Sequence, residues 1–206
     1  MPEPEPHLDI DWQSGADQAV ARMESFMYDE LTKQTGLSKD ELVCMQVGWS
    51  SKKSAYTFPM RDHEGRAIGI RLRTPDGNKY AVKGSRSGLF YAGDPPSRGQ
   101  VLVAEGPTDT ACLVGRGFSA VGRPSCNGGG LYLLKMLNWK HEVVLVADND
   151  KPGRDGAASI AKLIKDRVSS VRIMTPPRGN DIKDWVVGHS ATPSTIQAVI
   201  DQSRFA

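Results

Sequence analysis

The stretch VVLVADNDKPGRD (Val143–Asp155) decides the fold class of this chain. It joins an apolar run of strand type, Val143–Ala147, to the paired acids Asp148 and Asp150, and a helical pattern follows at Ala157–Arg167. Apolar strands that alternate with helices are typical of parallel α/β sheets. The stretch therefore predicts one strand–helix unit of such a sheet. Its acids stand at the carboxyl end of the strand, where ligands bind in these folds.

The same alternation extends on both sides of this stretch, from residue 101 onward. Further strands are predicted at Val101–Ala104, Ser119–Gly122 and Val171–Met174, and further helices at Thr108–Val114, Leu131–Trp139 and Ser194–Gln202. Upstream, turn signals separate three short runs of strand type, which predict a small antiparallel sheet. These runs are Ala55–Met60, Ala67–Arg73 and Asn78–Val82.

The first 50 residues have a different character. Residues 1–16 alternate proline with acids and then turn acidic, so we expect a flexible tail there. Apolar spacing from Gln18 to Gly36 predicts one amphipathic helix, and Ser38 with Glu41 three residues later predicts a capping box. The expected organisation is a tail (1–16), a helical and basic α+β lobe (17–98) and a parallel-sheet lobe (99–206).

Acids follow three of the four strands of the predicted parallel sheet. They are Glu105 with Asp109, Asp148 with Asp150, and Asp181. Because carboxyl ends of parallel strands meet at one edge, we expect these side chains to converge, where like charges repel unless a cation binds. Ligation by carboxylate oxygen alone selects Mg²⁺ or Mn²⁺, and a pair of such ions supports nucleotidyl transfer or phosphodiester cleavage. Helix capping is the simpler explanation for any single acid, and Asp155 and Asp184 stay open between the two.

Charge is distributed unevenly along the chain. Residues 1–48 carry 3 Lys and Arg against 10 Asp and Glu, whereas residues 49–99 carry 10 against 4. The basic residues of this middle segment that lie closest together are Arg61, Arg66, Arg71, Arg73, Lys79, Lys83 and Arg86. Such a run is usually a solvated face, but beside an acidic metal site it predicts a channel for nucleic acid and nucleotides. Arg61, Lys79 and Lys83 are expected to contribute most.

Other features narrow the class of protein. The three cysteines and four histidines have no zinc-ligand spacing, and an odd cysteine count does not suggest a disulfide framework. No run approaches the ~20 apolar residues of a membrane helix, and the start has no secretory signal pattern. We therefore expect a cytoplasmic protein with no membrane partner. The glycine-rich Ser125–Gly130 is equally compatible with a phosphate-binding loop and with a simple turn.

The acidic motifs resemble those of the TOPRIM domain, which bacterial-type primases, topoisomerases and some nucleases share. The matching residues are Glu105-Gly106 with Asp109, then Asp148-x-Asp150, then Asp181 within Gly179–Trp185. Upstream, Phe58–Gly69, Lys79-Tyr80 and Gly88–Phe90 resemble the basic lobe of the primase polymerase core. The resemblance covers about residues 30 to 190. It implies an α/β fold in which a smaller α+β basic lobe precedes a TOPRIM-type parallel sheet flanked by helices.

The resemblance also implies a function. The expected protein is a DNA primase-like nucleotidyltransferase, in the style of phage or plasmid primases, that makes RNA primers on a single-stranded DNA template from nucleoside triphosphates. Glu105, Asp148 and Asp150 would be catalytic, and Glu105, Asp109, Asp148, Asp150 and Asp181 would hold Mg²⁺ or Mn²⁺. The sequence shows neither a Cys/His zinc module nor a helicase domain, so a replicative helicase or a separate zinc-binding module is an expected partner. The alternatives are a TOPRIM nuclease and a non-catalytic nucleic-acid-binding accessory subunit.

Overall fold

Two four-stranded sheets and seven α-helices organise the described part of the chain, residues 10–206 of a computed structural model. The strands are β1 (Gly48–Ser50), β2 (Ala55–Arg61), β3 (Ala67–Arg73), β4 (Lys79–Ala81), β5 (Gly99–Glu105), β6 (Ala120–Arg123), β7 (His141–Val146) and β8 (Ser170–Met174). The helices are α1 (Trp12–Val20), α2 (Ser25–Thr35), α3 (Lys39–Cys44), α4 (Pro107–Gly115), α5 (Gly130–Met136), α6 (Lys151–Ile164) and α7 (Pro193–Gln202). A π-helical turn spans Asp184–Gly188.

The first sheet is antiparallel, with the strand order β1-β2-β3-β4. The strand predicted at Ala67–Arg73 is confirmed, and in it Ile68, Ile70 and Leu72 are buried whereas Arg71 and Arg73 are only partly so. Ile70 and Leu72 form a small core on one face, and Trp12 of α1 packs against it. The other face joins the main core of the molecule through strand β2.

The second sheet is parallel, with the strand order β6-β5-β7-β8. The chain leaves β5 for β6 on one side and then crosses to β7 on the other side. The crevice between the carboxyl ends of β5 and β7 is therefore the topological switch point, which is the usual ligand position in such sheets. Glu105 ends β5, and Asp148 follows β7 by two residues, so the fold brings the predicted acidic motifs to this crevice.

One continuous core joins the two sheets. Tyr56 and Phe58 of β2 share this cluster with Leu102 and Ala104 of β5. The connecting segment is also tied to the second sheet, since the amide and carbonyl of Phe90 both bond to the backbone of Gly122. The two predicted lobes thus face each other across a shared apolar layer, and the proposed division at residue 98 stays a prediction.

The helix predicted over Gln18–Gly36 is wrong as a single element. The chain turns at Ala21–Glu24 and forms α1 and α2 instead. The two helices bury different faces, because Ala16 and Ala19 of α1 are buried beside the first sheet while Tyr28 and Leu31 of α2 enter the main core. A local apolar period cannot report this change of partner. The capping box at Ser38 and Glu41 is confirmed.

The predicted tail over residues 1–16 is corrected in part. Residues 1–9 lie outside the described residues. Residues 12–16 belong to α1, and Asp11 caps this helix by accepting a hydrogen bond of 2.9 Å from the backbone N–H of Ser14. The sequence pattern also gave no indication of β1 or of the π-helical turn. None of the helices found in residues 10–206 has the length and apolar character that a bilayer crossing requires.

Candidate active site

A cavity of about 290 Å³ lies between the carboxyl edge of the parallel sheet and the antiparallel sheet. Glu105, Asp109, Asp148 and Asp181 line one side of it. Four of the five predicted metal ligands are therefore brought together, from β5, from the first turn of α4, from the end of β7 and from the loop after β8.

Asp150 is the predicted ligand that does not line this cavity. Its side chain instead caps α6, where Oδ1 accepts a hydrogen bond of 2.7 Å from the backbone N–H of Gly153. Asp150 still acts electrostatically on Asp148, whose pKa it helps to raise. The structure thus gives Asp150 the capping role that the sequence could not separate from metal binding.

The acids around the cavity repel one another. Burial, followed by the charges of Glu105, Asp181 and Asp150, raises the pKa of Asp148 to about 7. Burial, followed by Asp181 and Asp148, also raises the pKa of Asp109 well above its ordinary value. Carboxylates in such an arrangement hold protons unless a cation neutralises them. This concentration of carboxylates fits a divalent cation.

The donor chemistry also fits such an ion, because carboxylates line the cavity and neither His nor Cys is among its lining residues, which favours Mg²⁺ and Mn²⁺. Within residues 10–206, no three Asp, Glu, His or Cys side chains stand close enough to form a coordination shell together. The structure therefore supplies the charge and the oxygen donors for a hard cation without a closed set of ligands.

Two cationic side chains at this edge were not predicted. Arg123 ends β6 and is 1% exposed, with Nη2 3.9 Å from Oε2 of Glu105 and Nη1 donating to the carbonyl of Cys126. Lys183 lines the cavity, and its backbone N–H donates to Oδ1 of Asp109 over 3.3 Å. The rule that functional residues stand at strand ends applies to Arg123 as well, since it closes β6.

The basic side of the cavity comes from the antiparallel sheet. Arg71, Arg73 and Lys79 line it. The register explains why, because Arg73 pairs with Lys79 and Arg71 pairs with Ala81, and directly opposed residues share one face of a sheet. Three of the seven predicted basic residues thus lie opposite the acids.

Arg61 does not lie in the cavity, where the sequence predicts it to bind nucleic acid or nucleotides. It is buried, and its guanidinium donates to the side chains of Gln13 and Gln46 and to the carbonyl of Gly65. A guanidinium with these protein partners holds the sheet to α1 and to the turn before β1. The sequence predicts that Arg61, Lys79 and Lys83 contribute most to anion binding, and for Arg61 this placement conflicts with the prediction.

The other predicted basic residues lie outside the cavity. Arg66 forms ion pairs with Asp62 and Glu64 in the turn between β2 and β3. Lys83 and Arg86 are exposed beyond β4 and do not line the cavity. The structure therefore divides the basic run by location, which sequence spacing alone could not do.

The glycine-rich segment is a packed turn. A Cβ at Gly156 of α6 would overlap the carbonyl oxygen of Cys126, and a Cβ at Gly128 would come within 2.7 Å of the ring of Pro124. Gly129 adopts a φ of +81°, which favours glycine. Close packing and turn geometry account for these glycines. No residue of Ser125–Gly130 lines the cavity, although the preceding residue, Pro124, does.

The comparisons with known proteins agree with this geometry. Residues 102–186 match the family model described as Toprim-like. No curated protein sequence matches the chain.

Solved primase structures are similar over most of the chain. A DnaG primase catalytic domain bound to ssDNA matches with a TM-score of 0.69 and 17% identity, over 94% of this chain and 80% of that one. The Aquifex aeolicus primase, with its zinc-binding and RNA polymerase domains, matches with a TM-score of 0.71 and 18% identity, over 95% of this chain and 60% of that one. The primase fragment of the bacteriophage T7 primase-helicase matches with a TM-score of 0.59 and 16% identity, over 82% of this chain and 72% of that one. Residues 102–186 are therefore similar to Toprim-like domains, and the chain has the fold of primase catalytic cores.

Proposed function

We propose that this protein is a primase-like nucleotidyltransferase that synthesises RNA primers on single-stranded DNA with Mg²⁺ or Mn²⁺. The observation that carries the proposal is the cavity in which Glu105, Asp109, Asp148 and Asp181 stand opposite Arg71, Arg73 and Lys79. Acids that bind metal on one wall, with cations that bind phosphate on the other, suit a reaction between a nucleic acid and a nucleoside triphosphate.

The acidic wall has two tasks in this proposal. Glu105, Asp109, Asp148 and Asp181 would hold the cation, because their side chains line the cavity. The bound cation would lower the pKa of the attacking hydroxyl and stabilise charge on the leaving oxygens. Glu105 orients the reacting groups, and Arg123 behind it restrains the carboxylate from the protein side. Asp148 completes the catalytic set, while Asp150, which the sequence also predicts as catalytic, caps α6 and acts on Asp148 through its charge.

The basic wall binds phosphate. Arg71, Arg73 and Lys79 neutralise the triphosphate and the template backbone where these enter the cavity. Lys83 and Arg86 extend the positive surface beyond β4. Side chains that contact phosphates position a substrate without reading its sequence, so this wall serves any template.

The partners follow from the same proposal. The similar primase domain is described as bound to ssDNA, another is joined to a zinc-binding domain, and a third is part of a primase-helicase. For this chain we infer a single-stranded DNA template and nucleoside triphosphates, with a helicase or a zinc-binding module as a protein partner.

The test is a primer-synthesis assay with a single-stranded template, labelled ribonucleotides and Mn²⁺. We expect extension by the wild type and a loss of at least about 100-fold in Asp148→Asn, as when a group that stabilises developing charge is removed. The matched control is Asp155→Asn, because Asp155 is exposed and pairs with Lys151 on α6.

Each other outcome overturns the proposal in a defined way. Cleavage of the template without extension would identify a nuclease that uses the same acids. Binding of DNA with neither reaction would identify an accessory subunit. Full synthesis by Asp148→Asn would remove the acidic wall from the mechanism.

A further inference from the structure

The loop that carries Asp181 lies outside the strands of the sheet and has no strand pairing of its own. It follows β8, which ends at Met174, and runs to the π-helical turn that begins at Asp184. Asp181 and Asp148 both line the cavity, and their like charges repel each other across it. The loop therefore needs contacts that hold its acid beside the sheet edge before any cation is bound.

Asn149 provides those contacts. Its side-chain Nδ2 donates to the carbonyls of Pro176 and Gly179, each over 2.8 Å. Its backbone N–H donates to the carbonyl of Asn180 over 2.7 Å. Three hydrogen bonds of normal length thus join the residue between Asp148 and Asp150 to the segment directly before Asp181.

The amide side chain is suited to this task. Nδ2 carries two hydrogens, and both are used by loop carbonyls that have no strand partner. A serine hydroxyl has one hydrogen to donate, and alanine has none. The number of donated hydrogens therefore predicts that Asn149→Ala loosens the loop more than Asn149→Ser does.

The far end of the loop is also held by hydrogen bonds, in which backbone N–H groups donate to carboxylates. The backbone N–H of Asp184 donates to Oδ1 of Asp181 over 2.6 Å, and that of Lys183 donates to Oδ1 of Asp109 over 3.3 Å. The carboxylate of Asp181 is thus oriented from one side, while the loop is anchored to the sheet edge from the other side by Asn149.

We propose that Asn149 is a positioning residue that fixes Asp181 opposite Asp148 and thereby sets the affinity of the acidic wall for a divalent cation. This inference rests on the metal site of the proposed function. It assigns to the middle residue of the Asp148-x-Asp150 motif a role of its own. Partners behind metal ligands typically change metal affinity by about 10–100-fold.

The experiment measures Mn²⁺ binding directly, by the electron paramagnetic resonance signal of free Mn²⁺, without any reaction. We expect the dissociation constant to rise by about 10-fold or more in Asn149→Ala and by less in Asn149→Ser. The control is Asn138→Ala, which removes a 3.0 Å hydrogen bond to the N–H of Lys140 at the opposite end of β7. The control should bind Mn²⁺ as the wild type does.

Hydrogen exchange supplies a second readout. Peptides covering residues 175–184 should exchange faster in Asn149→Ala than in the wild type, while peptides from the first sheet stay unchanged. In the synthesis assay, excess Mn²⁺ should restore turnover in Asn149→Ala, while the KM for nucleotide stays unaltered.

The outcomes separate this inference from the proposed function. If the wild type binds no Mn²⁺, the proposed metal site itself is wrong. If the wild type binds Mn²⁺ and Asn149→Ala binds it equally well, the positioning role is wrong and the proposed function stands. Equal weakening in Asn138→Ala would also overturn the role, since the effect would then not be specific to the loop.

Discussion

The guanidinium of Arg123 lies fully buried behind the acidic wall, with Nη2 3.9 Å from Oε2 of Glu105. Its Nη1 donates to the carbonyl of Cys126 in the turn that leads to α5. Burial lowers the pKa of Arg123, and the charge of Glu105 acts in the opposite direction. This pair therefore places a positive charge directly behind the acidic wall.

Replacement of this arginine should destabilise the metal-free protein. Arg123→Met leaves the Cys126 carbonyl without its donor and Glu105 without a nearby cation. We expect the free energy of unfolding to fall by about 1.5–3 kcal/mol, the usual value of a hydrogen bond to a charged group. Urea unfolding in the presence of a chelator measures this change in the free energy of unfolding. Arg123→Lys, which keeps the charge, should lose less, and equal stability of Arg123→Met and wild type would contradict the prediction.

Asp148→Asn should stabilise the metal-free protein while it lowers synthesis by at least about 100-fold. Burial and the neighbouring acids raise the pKa of Asp148 to about 7 from 3.8, so the folded state binds more protons than the unfolded state between these values. Stability from this group is therefore greatest at low pH and falls as the pH rises through 7. We expect a higher Tm for the variant at about pH 8 and a smaller difference at about pH 5.

Thermal unfolding in a chelator checks this, with a Tm change of about 2–4 °C for each kcal/mol in a chain of this size. Asp155→Asn is again the control, because Asp155 lies on the exposed face of α6. A lower Tm for Asp148→Asn at the higher pH would contradict the interpretation that the acids repel one another.

The basic residues that face the cavity should dominate binding of single-stranded DNA. Combined substitution of Arg71, Arg73 and Lys79 by alanine should weaken binding and reduce the slope of log affinity against log salt by about 2, at about 0.7 for each lost phosphate contact. Arg66→Ala is the control, because Arg66 already pairs with Asp62 and Glu64 away from the cavity. Fluorescence anisotropy at several salt concentrations measures both quantities. A larger effect from Arg66→Ala than from the triple variant would refute the division of the basic run.

Gly36→Ala should be more destabilising than Gly77→Ala. Both glycines have positive φ, +73° and +94°, so both variants incur about 1–2 kcal/mol of backbone strain. A Cβ at Gly36 would also overlap Cγ1 of Val187 in the π-helical turn, whereas a Cβ at Gly77 meets nothing within 4 Å. The overlap should add about 1–3 kcal/mol. Chemical denaturation of both variants measures the difference, and equal losses would show that the contact with Val187 is unimportant.

Local patterns were sufficient for most of the sheet elements. The strand at Ala67–Arg73 has the predicted bounds, and β5, β7 and β8 each include the predicted apolar run or nearly all of it. Strands alternate or remain apolar over a few residues, so their signal is contained in the residues themselves. The break between α1 and α2 was not predictable in this way, because the apolar spacing continues while the packing partner changes.

The sequence by itself determined that acids stand at the carboxyl ends of parallel strands and that a basic segment precedes them. The tertiary structure alone decided which of these residues face each other. Arg61 is held by Gln13, 48 residues away, and Asn149 by the carbonyls of Pro176 and Gly179, 27 and 30 residues away. Such contacts depend on strand order, register and burial rather than on neighbouring residues. A residue's type and spacing can therefore predict its chemistry, but its partner is set only when the chain packs.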